Sequence, residues 1–155
     1  MVLDIPFVSE VPSAEGDVML AEEIASTMEV KGVLLERILG NLQSAGFLED
    51  PDHEVQARLC IDEALVNAVL HGNEGKPEKK VRVTLYQSPD AWTLRVEDQG
   101  KGFTPSAIPD PDDPNNLLLE HGRGVLIMKS YMDRVVYYRN GSGLLISRKR
   151  NSSPA

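Results

Sequence analysis

Apolar residues recur at helical spacing in two stretches of the N-terminal half of the chain. A stripe of leucine and isoleucine predicts a helix over 33–45, with Gly46 as its stop. A second helix is expected to begin near Pro51, because proline is well tolerated in the first helical turn. It should run to His71, where a glycine-containing segment, 72–75, should end it.

Four other segments have the patterns of strands. Residues 81–86 and 92–97 alternate apolar and polar positions, which predicts an antiparallel hairpin with one buried face. Residues 18–26 are a weaker strand candidate, and 134–139 should pair with 144–148 across a glycine-rich turn. With a short helix expected from Gly124 to Asp133, the fold class is an α+β two-layer sandwich. Its helices should cover one face of a mixed, mostly antiparallel sheet.

The remaining segments lack such periodicity. Residues 100–124 contain four prolines before Asn116 and many acidic residues, and a loop of this length is usually functional or disordered. Residues 1–16, with two prolines, are interpreted as an N-terminal arm or edge element, and 151–155 as a polar tail. A single domain over 17–150 is therefore expected.

Composition narrows the class of protein. The 155 residues carry a formal net charge of -8 and no stripe of Lys or Arg, which argues against direct binding to nucleic acid. No apolar run is long enough to span a membrane and no leader pattern opens the chain, so we expect a cytoplasmic protein. The one cysteine, Cys60, lies in an apolar helical stretch, which favours a buried structural thiol.

The second predicted helix carries the first candidate chemistry. Glu63 and Asn67 are four residues apart, so they share one helix face, and apolar strips flank them on both sides. Partial desolvation of a carboxylate and a carboxamide disfavours leaving them without partners. An ordinary polar helix face is the alternative interpretation of this pair.

Two glycine-containing segments are further candidates. The alternation along 92–97 puts Asp98 on the core side of the sheet, directly before a turn in which Gly100 and Gly102 allow close approach of a ligand. The Gly122-Arg123-Gly124 segment precedes an apolar helical run, and a helix start of this kind favours anions. An ordinary turn and a loop that merely lets a helix begin are the alternatives.

The order and spacing of these segments carry more information than any one of them. EALVNAVLHGN (63–73), VEDQGKGF (96–103) and HGRGVLIM (121–128) resemble the three nucleotide-binding boxes of the GHKL ATPase/kinase superfamily, which has the Bergerat ATP-binding fold. The short spacing and the MKSYMD segment (128–133) resemble the anti-sigma-factor serine/threonine kinases within it.

The resemblance implies a role for each candidate residue. Asp98 would accept a hydrogen bond from the adenine amino group, and Asn67 would hold Mg²⁺ through its side-chain oxygen. Glu63 would be the general base. The resemblance also implies that Gly100 and Gly102 admit the nucleotide, that Gly122 and Gly124 present N–H groups to the phosphates, and that about 103–121 form an ATP lid. Arg123 is either a phosphate contact or a solvated lid residue.

The function implied is ATP-dependent phosphorylation of a STAS-type anti-sigma antagonist, coupled to sequestration of a sigma factor. A binding module that uses ATP without transferring phosphate is the competing hypothesis. The presence of both Glu63 and Asn67 favours the kinase, because a pure binder needs no base. A histidine-kinase catalytic domain is a third option, disfavoured because no phosphoacceptor-histidine helix is recognisable. Family members commonly dimerise, so a homodimer is a further expectation.

Overall fold

The computed structural model describes residues 5–102 and 120–150, and in these two ranges the chain forms three α-helices and five strands. The helices are α1 (Met28–Ser44), α2 (Pro51–Val66) and α3 (Glu120–Tyr131). The strands are β1 (Asp17–Ala25), β2 (Lys80–Gln87), β3 (Ala91–Glu97), β4 (Arg134–Tyr138) and β5 (Gly143–Lys149). The predicted tail, 151–155, lies outside the described residues, as does 103–119 of the predicted lid.

Side-chain caps fix the starts of the first two helices. The Thr27 hydroxyl accepts a hydrogen bond from the Val30 N–H at 3.2 Å, so α1 begins five residues before the predicted start. The Asp50 carboxylate accepts one from the Asp52 N–H at 2.8 Å, and Pro51 follows it as the first helical residue, as predicted. No helix in the described ranges is long and apolar enough to cross a membrane.

The sheet has the strand order β1-β2-β3-β5-β4. Every neighbouring pair is antiparallel, so the predicted sandwich is confirmed and its sheet is antiparallel throughout these five strands rather than mixed. Val83 lies opposite Val96, and Leu85 opposite Leu94, as the predicted hairpin requires. The apolar positions of β2 and β3 therefore share the face that the helices cover.

The core fills the space between the helices and this face. Trp92, the only tryptophan, is 2% exposed at the start of β3. Cys60 is buried in α2, and desolvation raises the pKa of its thiol to about 12. The thiol therefore stays protonated, which supports the structural role expected for it.

The N-terminal arm packs along the edge of the sheet at β4. Phe7 forms a parallel bridge with Tyr137, and the Val8 N–H donates to the Tyr137 carbonyl at 2.9 Å. Farther along the arm, Arg95 donates to the Pro12 carbonyl, and Arg134 donates to the Ser13 carbonyl at 3.2 Å. The described part of the arm, 5–16, is thus attached to the sheet at several points.

Candidate functional site

A cavity of about 190 Å³ opens between the end of α2, the end of β3 and the turn that joins β4 to β5. Side chains and backbone from all three elements line it. Its lining includes Asn67, Gly72, Asp98, Gly102, Tyr137 and Ser142. The structure therefore brings together residues from two of the three motifs that sequence analysis identified.

The helix that carries Asn67 changes its winding at the cavity. α2 ends at Val66 and continues as a π-helical turn, Asn67–Gly72, in which the Asn73 N–H donates to the Ala68 carbonyl at 2.9 Å. The predicted helix over this segment is therefore wider than expected. Such π-helical turns are frequent at functional sites, because the extra residue redirects the backbone.

Asp98 follows β3 and faces the core side of the sheet, as the strand alternation predicts. It is 8% exposed and lines the cavity. Desolvation raises its pKa to about 6, although the Gly100 N–H, which donates to Oδ1 at 2.8 Å, opposes the shift. Positive charge on Arg139 and Lys79 opposes it further. Asp98 is thus a buried, mostly ionised acceptor at pH 7.

The glycines around Asp98 are required first by the chain itself. A Cβ on Gly72 would lie 2.3 Å from Asp98 Oδ2, and one on Gly100 would lie 2.1 Å from the Gly72 carbonyl oxygen. Gly102 has a φ of +75°, and its Cβ would lie 1.9 Å from the Asn140 carbonyl oxygen. Gly100 and Gly102 therefore lie close to neighbouring backbone, and the approach of a nucleotide expected at these glycines stays a prediction.

Asn73, the last residue of the first of the three motifs, holds this wall in place, although no individual role was predicted for it. Its side chain is fully buried and donates to Ser26 Oγ at 2.8 Å and to the Lys80 carbonyl at 3.0 Å. Its Oδ1 accepts from the Gln99 N–H at 2.8 Å. Asn73 thus ties the end of β1 and the start of β2 to the turn after Asp98. Its place in the first motif is visible in the sequence, but these hydrogen-bond partners are not.

Glu63 and Asn67 lie on one face of the helix, as predicted, and α3 covers them. A Cβ on Gly124 would lie 2.3 Å from Glu63 Oε2 and 3.7 Å from Asn67 Nδ2. Both polar atoms of the Asn67 side chain are buried without a hydrogen-bond partner among the described residues. Burial of such groups costs about 1–3 kcal/mol, so they are candidates for contact with a ligand.

Helix α3 begins at Glu120, four residues before the predicted start at Gly124. The prediction was wrong because glycine is about 1 kcal/mol less favourable than alanine inside a helix, which made 122–124 resemble a loop. Gly122 lies in the first turn, where backbone N–H groups have no acceptor within the helix. The side chain of Arg123 lies outside the described part of the structure. The phosphate roles expected of Gly122, Arg123 and Gly124 stay predictions.

Residues 22–147 match the family described as the histidine kinase-like ATPase domain. This range includes every cavity residue named above and covers most of the chain. The chain belongs to this family. The membership supports the superfamily resemblance derived from the three boxes.

Several anti-sigma F factors are similar to this ATPase domain. The protein from Bacillus cytotoxicus is 32% identical over 97 residues, which cover 60% of this chain and 66% of the relative. That from Halalkalibacterium halodurans is 27% identical over 88 residues, covering 54% and 59%. That from Heyndrickxia coagulans is 31% identical over 100 residues, covering 59% and 65%. The chain thus spans a little under two thirds of the length of these relatives.

Proposed function

We propose that this ATPase domain is an anti-sigma regulator that binds ATP and phosphorylates a serine or threonine of a partner protein. The observation that carries the proposal is the half-buried Glu63–Asn67 pair, in which Asn67 lines the same cavity as the desolvated carboxylate of Asp98. Asn67 and Asp98 line this cavity, and Glu63 lies beside Asn67 on the same helix face, which supports the roles proposed for the three residues. Family membership and the names of the similar proteins point the same way.

Asp98 would select the nucleobase. Its carboxylate is ionised above a pKa of about 6, so at pH 7 it accepts hydrogen bonds and donates none. The Gly100 N–H donates a hydrogen bond to Oδ1 and thereby fixes the orientation of the carboxylate. An adenine amino group donates to such an acceptor, whereas the carbonyl at the same position of guanine would be repelled.

The residues present suit Mg²⁺, which favours oxygen ligands and usually keeps several waters together with substrate phosphates. Asn67 Oδ1 is a buried oxygen without a hydrogen-bond partner among the described residues, and it would supply one such ligand. No cluster of three His, Cys, Asp or Glu side chains is found in the described ranges. One side-chain oxygen agrees with an ion held mainly by phosphates and water, whose chemistry is to neutralise phosphate charge.

Glu63 would accept the proton in the transfer step. The hydroxyl oxygen of the partner forms a bond to the γ-phosphorus, the bond from that phosphorus to the bridging oxygen breaks, and ADP leaves. The hydroxyl proton moves to the Glu63 carboxylate. Because Gly124 lies against Glu63 Oε2, either the Glu63 side chain or the start of α3 would have to move before a hydroxyl could reach this oxygen.

The names of the similar proteins support a sigma factor as a partner, and the other assignments rest on the resemblance of the three motifs. We propose a sigma factor as the protein bound, a STAS-type antagonist as the protein phosphorylated, and a homodimer acting in the cytoplasm. The second candidate function is a regulator that binds ATP without transferring phosphate. The observation that favours it is the cover that α3 places over Glu63.

The test combines binding and transfer assays on the purified protein. ATP affinity is measured by calorimetry, and phosphorylation of a STAS-type protein encoded nearby is followed by mass spectrometry. Glu63→Gln should keep nucleotide affinity and lose about 10²–10⁴ in rate, since that is the usual effect of removing a general base. Glu54→Gln, on the exposed side of the same helix, is the matched control and should change neither.

Each outcome decides between the candidates. Tight ATP binding with no phosphorylated product from several STAS-type proteins would favour the non-catalytic regulator. A Glu63→Gln protein with wild-type turnover would assign the base to another residue. Absence of ATP binding would overturn both functions.

A further inference from the structure

We propose that the N-terminal arm is a positioning element of the nucleotide cavity, and that Phe7 acts on the cavity through Tyr137. The inference rests on the proposed binding of ATP. It adds a segment that none of the three motifs includes and that begins before the region matching the family. Phe7 lies on one side of Tyr137 and the cavity on another.

Tyr137 is shared by the arm and the cavity. Its side chain is 3% exposed and lines the cavity. The Phe7 ring stacks on it with centroids 4.9 Å apart and planes 21° apart. The backbone is fixed by the same segment, because the Tyr137 N–H donates to the Pro6 carbonyl at 3.0 Å and its carbonyl accepts from the Val8 N–H at 2.9 Å. The arm therefore sets the position of one cavity wall.

Tyr137 is also within electrostatic reach of the proposed base. Burial raises the pKa of its phenol, and the charge of Glu63 raises it further. The phenol therefore stays protonated and keeps its hydrogen-bond donor at neutral pH. A displacement of this ring would therefore change both the cavity wall and the electrostatic surroundings of Glu63.

The other attachments of the arm lie away from the cavity. The Arg95 guanidinium donates to the Pro12 carbonyl and sits 5.5 Å from the centroid of the Tyr86 ring, and Arg134 donates to the Ser13 carbonyl. These contacts involve neither Phe7 nor Tyr137, so loss of the Phe7 ring should leave the arm docked. Substitution of Phe7 therefore isolates the contact that reaches the cavity.

The coupling has to be reciprocal. If the docked arm favours nucleotide binding by a given factor, bound nucleotide must favour docking of the arm by the same factor. ATP should therefore slow hydrogen exchange at the amides of Val8 and Tyr137, which join the arm to β4. A purely structural role of the arm would not produce this response to nucleotide.

The test compares Phe7→Ala, Phe7→Tyr and Val11→Ala in the full-length protein. Val11 is 53% exposed on the same arm and serves as the matched control. Phe7→Ala should weaken ATP binding by about two- to tenfold, which corresponds to the usual contribution of an aromatic pair. Phe7→Tyr should restore the affinity, and Val11→Ala should stay close to wild type.

The results separate this inference from the proposed function. If the wild-type protein binds ATP but Phe7→Ala binds it equally well, and ATP does not slow exchange at Val8 and Tyr137, the inference is overturned while the proposed function stands. If the wild-type protein does not bind ATP, both are overturned. Should Phe7→Ala fail to fold, the exchange measurement on the wild type decides alone.

Discussion

Replacing Asp98 with asparagine should stabilise the protein while weakening its binding of nucleotide. Asp98 is 8% exposed, and its Oδ1 accepts a hydrogen bond from the Gly100 N–H. Asparagine has an oxygen that can keep this bond and a nearly identical shape. The substitution therefore removes the negative charge and leaves the packing around Gly72 almost unchanged.

The magnitude follows from the pKa. Burial raises the pKa of Asp98 from an ordinary value of 3.8 to about 6, so keeping the carboxylate ionised in the folded protein costs up to about 3 kcal/mol at pH 7. Asp98→Asn should recover much of this free energy of unfolding. It should also lose the hydrogen bond from adenine to a charged acceptor. That loss is about 1.5–3 kcal/mol, or about a ten- to hundredfold fall in affinity.

Urea unfolding at several pH values and calorimetry with ATP test both halves. Because the pKa of Asp98 is raised in the folded state, protonation stabilises the wild-type protein as the pH falls from about 6 towards 3.8. The stability advantage of Asp98→Asn should be largest above pH 6 and shrink below it. Asp90→Asn, an exposed site in the β2–β3 turn, should stay within about 0.5 kcal/mol of wild type.

Two results would refute this reasoning separately. An Asp98→Asn protein that is less stable than wild type at pH 7, by an amount independent of pH, would show that desolvation does not govern this carboxylate. An unchanged affinity for ATP would remove Asp98 from the adenine site, whatever its effect on stability.

Three further substitutions test the rest of the site. Gly124→Ala should lower the free energy of unfolding by about 1–3 kcal/mol in urea titrations, because the new Cβ meets Glu63 Oε2. The control, Gly32→Ala in α1, should be neutral or stabilising, because the space around Gly32 is open. Asn67→Ala should reduce ATP affinity measured with Mg²⁺ more than without it; an equal loss in both conditions would contradict the metal role. Asn73→Ala should lower the free energy of unfolding by at least about 2 kcal/mol and also weaken ATP binding. If this variant binds ATP as tightly as the wild type, Asn73 does not position the cavity wall.

The parts of the site that were predictable depend on periodicity. The alternation along β3 is set by the pleat, so the side on which Asp98 lies follows from Trp92, Leu94 and Val96 alone. The shared face of Glu63 and Asn67 follows in the same way from the helical repeat. Both expectations concern neighbours in one element, and both agree with the structure.

What could not be predicted depends on contacts between elements. The early start of α3 places Gly124 against Glu63, and only the packing of α2 on α3 reveals why a residue without a side chain lies there. The Asn73 side chain forms hydrogen bonds with Ser26, Lys80 and Gln99, which the fold brings together from separate elements. Neither local propensity nor residue spacing predicts such contacts between elements.

The burial of Trp92 determines which changes in this protein its intrinsic fluorescence can detect. It is the only tryptophan, and it lies at the opposite end of β3 from Asp98, about 20 Å away at about 3.3 Å per residue. Its fluorescence emission should therefore change when the core unfolds and should change little when a ligand binds in the cavity. A fluorescent ATP analogue excited outside the indole band would read binding independently. Stability and affinity could then be followed in one cuvette, which suits variants expected to move the two in opposite directions.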